Sequence, residues 1–210
     1  MKFLSSLFKN KPTVKDVKTL TDSLLGIKKE TIHLHMDSLN ELIKTMSSVV
    51  KDIKKQSNDY PNNSINAKVW LDGFSLIESA RLLYEYLNQT SLNSYTERAA
   101  DLWAESTLIV CSHYHHMVGP SMIAAAEMKE KVGDLDTALI YYNAVIDDFK
   151  GFINLNFDEE PPNDDDIVAL KSLKQAIIKS QNLNQNENLN HQELLSTVEN
   201  ILKNSVEKNN

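Results

Sequence analysis

Cysteine is nearly missing from this sequence: its 210 residues contain one, Cys111. One thiol cannot form an intrachain disulfide. That excludes a disulfide-stapled secreted scaffold and leads us to expect a reducing, cytoplasmic setting. Glycine and proline are also scarce, at five each. So few breakers exclude a fold of many short strands joined by tight turns and favour helices. No apolar run approaches the roughly 18 residues that a membrane span needs. The opening MKFLSSLFKNKP has too short an apolar part for a signal peptide and lacks a small-residue cleavage site. Catalytic signatures are missing as well. There is no His-Glu-x-x-His, no Gly-x-Ser-x-Gly and no glycine-rich phosphate loop. A di-iron bundle wants two Glu-x-x-His motifs on different helices, and only Glu30 with His33 supplies one.

What is present is an ordinary globular composition, 41% apolar and 24% charged, enough for a real core. At this length one domain, alone or with an appended element, is expected. The formal charge of −7 is unevenly spread. Residues 1–59 carry 11 Lys against 7 acidic residues, whereas 60–210 carry 11 basic against 22 acidic. The acidic body speaks against nucleic acid as a partner, because phosphate contacts need clustered Lys and Arg. The basic first part suits an anionic membrane surface or an acidic partner; attraction to the acidic body within one fold is the plainer explanation.

Residues 1–12 read as a short basic arm. Phe3, Leu4, Leu7 and Phe8 share one helical face, with Lys2, Lys9 and Lys11 around it. This is the pattern of a small interfacial helix, long enough for only weak contact with a membrane. Docking or fraying of the terminus is the plainer expectation. Thr13 then forms a capping box with Asp16. From Val14 to Ile53 apolar residues recur every three or four positions. The stretch 13–57 is thus one long amphipathic helix or a helix pair broken near Gly26. Unbroken, it would run about 60 Å, suited to packing against several later helices or to a coiled-coil contact with another chain, a second copy included.

NDYPNNS (58–64) is a loop, and 65–88, apolar nearly all round, is a central buried helix. Ser94 with Glu97 suggests another capping box, opening a helix that stops at Gly119-Pro120. Pro120 starts the next helix, to about Val132, and Gly133-Asp134 turns the chain into one covering 135–150. After the acidic loop NFDEEPPNDDD, Asn163 caps a helix over 165–181. The asparagine-rich NLNQNENLN leads to a last amphipathic helix capped by Asn190. The expectation is an all-α fold of about seven helices, an antiparallel bundle. It has a helical domain over 13–182 and an appended linker and helix over 183–210.

CSHYHHM (111–117) concentrates three histidines and the cysteine. On one straight helix Cys111 and His115 share a face, and His113 and His116 share another. All four therefore cannot converge on one ion. His113, His115 and His116 are the candidate metal ligands, and the rest of a tetrahedral shell would have to come from remote donors such as His33, His35 or His191. Against this, histidines near a helix C-terminus are favoured by its dipole, and Cys111 continues an apolar stripe. No metal or cofactor is expected. The acidic run from Asp158 to Asp166 lacks the ligand spacing of a calcium loop and is better explained by the helix start at Asn163.

AAAEMKEKVGDLDTALIYYNAVIDDF (124–149) resembles a tetratricopeptide repeat, a helix–turn–helix unit of about 34 residues. Ala126 falls at the family's small position in the first helix and Gly133 at its turn. Ala138 falls at the close helix contact and Tyr142 at the following aromatic position. Met122, Lys129, Val145 and Lys150 depart from the pattern. In 75–87, Ala80 and Tyr84 echo the second helix of such a unit. The resemblance, confined to 119–150, implies a helical hairpin and a role in binding a protein or peptide rather than catalysis. The function expected is that of an adaptor, chaperone-like or inhibitor-type interaction module. A metal-binding enzyme or sensor using 111–116, or membrane recruitment through 1–12, are the alternatives.

Overall fold

The computed structural model describes residues 11–58, 67–110, 115–154, 157, 161–184 and 188–208. Among them are eight α-helices and no strand, so the protein is all-α. They form two compact units, one ending at Val110 and the other beginning at Cys111. The division falls inside the stretch 13–182 that the sequence suggests as one domain. The reason is where each apolar stripe finds its partner. Helices up to Val110 pack among themselves, and so do those after it; the last helix belongs to the second set.

The first unit holds α1 (Val14–Leu25), a 3-10 segment (Lys29–His35), α2 (Met36–Asn58), α3 (Ala67–Leu87) and α4 (Asn93–Val110). The break near Gly26 is real, and 13–57 is a helix pair. The Thr13 capping box forms as the sequence suggests: the Thr13 amide donates to Asp16 Oδ2 at 2.8 Å, and the Asp16 amide donates to Thr13 Oγ1 at 3.4 Å. Lys11 pairs with Asp52 on α2 at 2.8 Å; the rest of the basic arm, residues 1–10, lies outside the described residues. The three-to-four spacing of Leu39, Leu42, Met46, Val49 and Ile53 turns one stripe of α2 inward, where all are buried. α3 is the central helix expected and packs on α1, α2 and α4. Leu76, Ala80, Leu83 and Leu87 on it are fully buried.

α4 starts a little earlier than its sequence suggests. Ser94 lies within the first turn, and the amides of Tyr95 and Thr96 donate to the Leu92 carbonyl instead. The Tyr95 hydroxyl donates to Asn40 Oδ1 at 2.9 Å, and Arg98 reaches Ser47 Oγ at 3.2 Å, so α4 is tied to α2 by side chains as well as by its apolar face.

The second unit holds α5 (His115–Val132), α6 (Leu135–Phe149), a 3-10 segment (Lys150–Asn154), α7 (Asp164–Leu183) and α8 (Asn188–Lys208). Here one expectation is corrected. Gly119-Pro120 does not end a helix; α5 runs straight through it. Pro120 lies near enough to the start of α5 to be tolerated, although it leaves one carbonyl without its helical partner. Gly119 is there for closeness. A Cβ built on it would lie 2.5 Å from Ser172 Cβ, 2.6 Å from Ser172 Oγ and 2.9 Å from Phe149 Cε2. The missing side chain lets α5 press against α7 and the end of α6. α7 opens on the capping box at Asn163, whose Oδ1 accepts from the amides of Asp165 and Asp166 at 2.9 and 3.0 Å. α8 packs on α7. It begins at Asn188, so Asn190 is inside its first turn rather than at its cap.

Candidate functional site

The hairpin expected over 119–150 is formed by α5 and α6. Lys129–Asp134 closes it with a pair of backbone bonds: the Asp134 amide donates to the Lys129 carbonyl at 2.9 Å and the Gly133 amide to the Glu130 carbonyl at 3.0 Å. This wrap requires a left-handed residue, and Gly133 has φ +86°. Asp134 then caps α6 by accepting from the Thr137 amide at 3.3 Å. Ala126 and Ala138 are fully buried, as small residues at a close helix contact should be. Tyr142 is fully buried too, and its hydroxyl donates to Glu130 Oε1 at 2.5 Å. Burial, then the Glu130 carboxylate, pushes the Tyr142 phenol well above its ordinary range. Lys179 on α7 reaches both Glu130 oxygens at 3.3 Å, and Gln175 donates to Glu127 at 2.9 Å. Three of the four sequence-identified positions, Ala126, Ala138 and Tyr142, therefore build the hairpin's interior, and Gly133 shapes its exposed turn.

The surface of the hairpin is different. Val132 and Leu135 flank the turn and are 46% and 49% exposed; Ile140, on the outer side of α6, is 66% exposed. α5 offers little free surface, because from Val118 to Met128 almost every residue is buried or half-buried. Whatever the hairpin presents, it presents at its tip and on α6.

The histidine cluster is not brought into a site by the described structure. Cys111 and His113 lie outside the described residues, and His115 and His116 open α5 rather than closing a helix before it. The dipole argument for histidines at a C-terminus thus does not apply to this pair. Among the described residues no three His, Cys, Asp or Glu side chains stand close enough together to hold a metal ion. His33 and His35 lie on the first 3-10 segment and His191 on α8. Asp164, Asp165 and Asp166 occupy the first turn of α7, where they complement its positive end.

A further feature escaped the sequence. Beside the first 3-10 segment, two adjoining hollows of about 460 and 340 Å³ share Lys29, Glu30 and Gln89. One continues over Leu25, Ile27, Leu82 and Tyr86, the other over Ile32, His33 and Leu92. The Tyr86 hydroxyl donates to the Ile27 carbonyl at 2.9 Å and ties the link between α1 and the 3-10 segment to the end of α3. Burial, with Glu30 nearby, raises the Tyr86 phenol above its usual range. Lys29 and Gln89 are sixty residues apart, so no motif spacing could have joined them.

No protein-family model, characterised protein or solved structure matches this chain. Among the described residues no helix is long and apolar enough to cross a membrane.

Proposed function

We propose that this chain is a non-catalytic helical interaction protein, an adaptor, chaperone-like or inhibitor-type module, that engages a protein or peptide through the α5–α6 hairpin. One observation carries the reading. Val132 and Leu135 stand exposed on either side of a turn whose backbone is pinned by the Gly133 wrap and the Asp134 cap. Apolar side chains held on a rigid support lose less entropy on binding than those on a mobile one. Ile140 extends the apolar surface along α6. The resemblance of 119–150 to a tetratricopeptide unit supports the same class of role, and the single cysteine supports a reducing, cytoplasmic setting.

The test is a comparison of the full chain with its Leu135→Glu/Ile140→Glu variant. Both positions face water, so the variant should keep the helical circular dichroism and melting of the parent. A stoichiometric partner captured by the parent and lost from the folded variant is the expected result. Partners held equally by both proteins would overturn the assignment to this surface.

A further inference from the structure

The cleft beside the first 3-10 segment has a distinctive charge arrangement. The Lys29 ammonium donates to Gln89 Oε1 and stands 6.0 Å from the centroid of the Tyr86 ring. Gln89 is itself held, its Nε2 donating to the Glu85 carbonyl at 3.1 Å. The nearby Glu85 carboxylate is engaged by Arg81 at 2.5 Å. Among the described residues no carboxylate pairs with Lys29 or with Lys28. Lys29 is thus a positioned cation met by a neutral amide and an aromatic face. An ammonium carries three N–H donors, and the amide takes one. It lies where the two hollows meet, above an apolar floor of Leu25, Ile27 and Leu82.

We propose that this cleft captures the C-terminal end of a partner polypeptide, with the free carboxylate on Lys29 and Lys28 and an apolar last side chain on the floor. A fixed cation beside apolar surface matches a group that is anionic at one point and apolar next to it. Glu30, at the same rim, repels anions the more strongly the more negative charge they carry, and its carboxylate is an acceptor within reach of the peptide's backbone N–H groups. The balance of Lys28 and Lys29 against Glu30 disfavours a polyanion more than a single carboxylate. The site is on the first unit and stands apart from the hairpin reading.

The experiment is a titration of the isotope-labelled full chain, followed by the amide signals of residues 27–30 and 88–92. The probe is a pool of random hexapeptides ending in leucine with a free carboxylate. Saturable shifts are expected, weaker by about two- to fivefold for the same pool with amidated ends and for Lys29→Gln. Lys29 is part-exposed, so Lys29→Gln should fold, and unchanged circular dichroism verifies it. The Leu135→Glu/Ile140→Glu variant should bind the pool like the parent, which separates this site from the hairpin. No shifts up to about 1 mM peptide, or equal binding of amidated peptides or by Lys29→Gln, would overturn the proposal. So would N-acetyl-leucine binding as tightly as the pool, since a small acid would then suffice.

Discussion

Replacing Gly119 with Ala sets two opposing effects against each other. In a helix interior Ala is favoured over Gly by about 0.8–1.0 kcal/mol, so on local grounds the change should stabilise α5. The neighbours say otherwise. Ser172 Cβ would stand 2.5 Å from the new methyl, whereas unstrained carbon atoms sit about 3.5–4.0 Å apart. Ser172 Cβ is fixed to the α7 backbone, so a rotamer change cannot remove it; α5 and α7 must separate by about 1 Å. Phe149, fully buried and 2.9 Å from the same methyl, blocks a sideways shift. Overpacking of this kind costs about 1–3 kcal/mol before larger rearrangement. With a clash at backbone-anchored atoms the upper part of that range applies, and the net expectation is a loss of about 1–2 kcal/mol.

Denaturant unfolding of the full chain, followed by helical circular dichroism, measures this. Gly26→Ala is the control. Its Cβ would meet only the Ser23 and Asp22 carbonyl oxygens, at 3.5 and 3.9 Å, and its φ of −73° suits any residue. It should be neutral or stabilise by up to about 1 kcal/mol. Ser172→Gly added to Gly119→Ala removes both the Cβ and the Oγ in the way and should recover part of the loss. Gly119→Ala unfolding at or above the parent's midpoint would refute the close α5–α7 approach.

Two further outcomes follow from the hairpin. Gly133→Ala meets no neighbour within 4 Å, so its cost comes from φ +86° alone; a loss of about 1–2 kcal/mol is expected in the same unfolding assay. Tyr142 has its phenol pKa raised in the folded state by burial and Glu130. Above about pH 10 the unfolded chain loses this proton while the folded chain keeps it, so stability falls as pH rises, by up to about 1.4 kcal/mol per pH unit from this group. Tyr142→Phe should show a shallower decline between pH 10 and 11; an equal slope would remove Tyr142 as a cause.

Sequence alone settled what depends on neighbours in the chain. The scarcity of glycine and proline and the three-to-four spacing of apolar residues gave an all-α fold, because a helix repeats every 3.6 residues whatever it packs on. The capping box at Thr13 and the cap at Asn163 were legible because cap and helix start lie within four residues of each other. Gly133 was legible because a tight turn between two amphipathic stretches leaves few other residues able to take it. The small residues Ala126 and Ala138 were singled out by the resemblance to a tetratricopeptide unit, and both are buried.

Tertiary structure decided the rest. Glycine signals only that a side chain is absent, and that suits a helix stop as well as a close approach. Ser172, more than fifty residues later, makes Gly119 the second. The division at Val110 depends on which helix buries which stripe, and apolar periodicity names a face without naming its partner. Lys29, Tyr86 and Gln89 meet only because α3 returns beside the 3-10 segment. Contacts between residues so far apart are set by how the helices pack, not by any local order of residues.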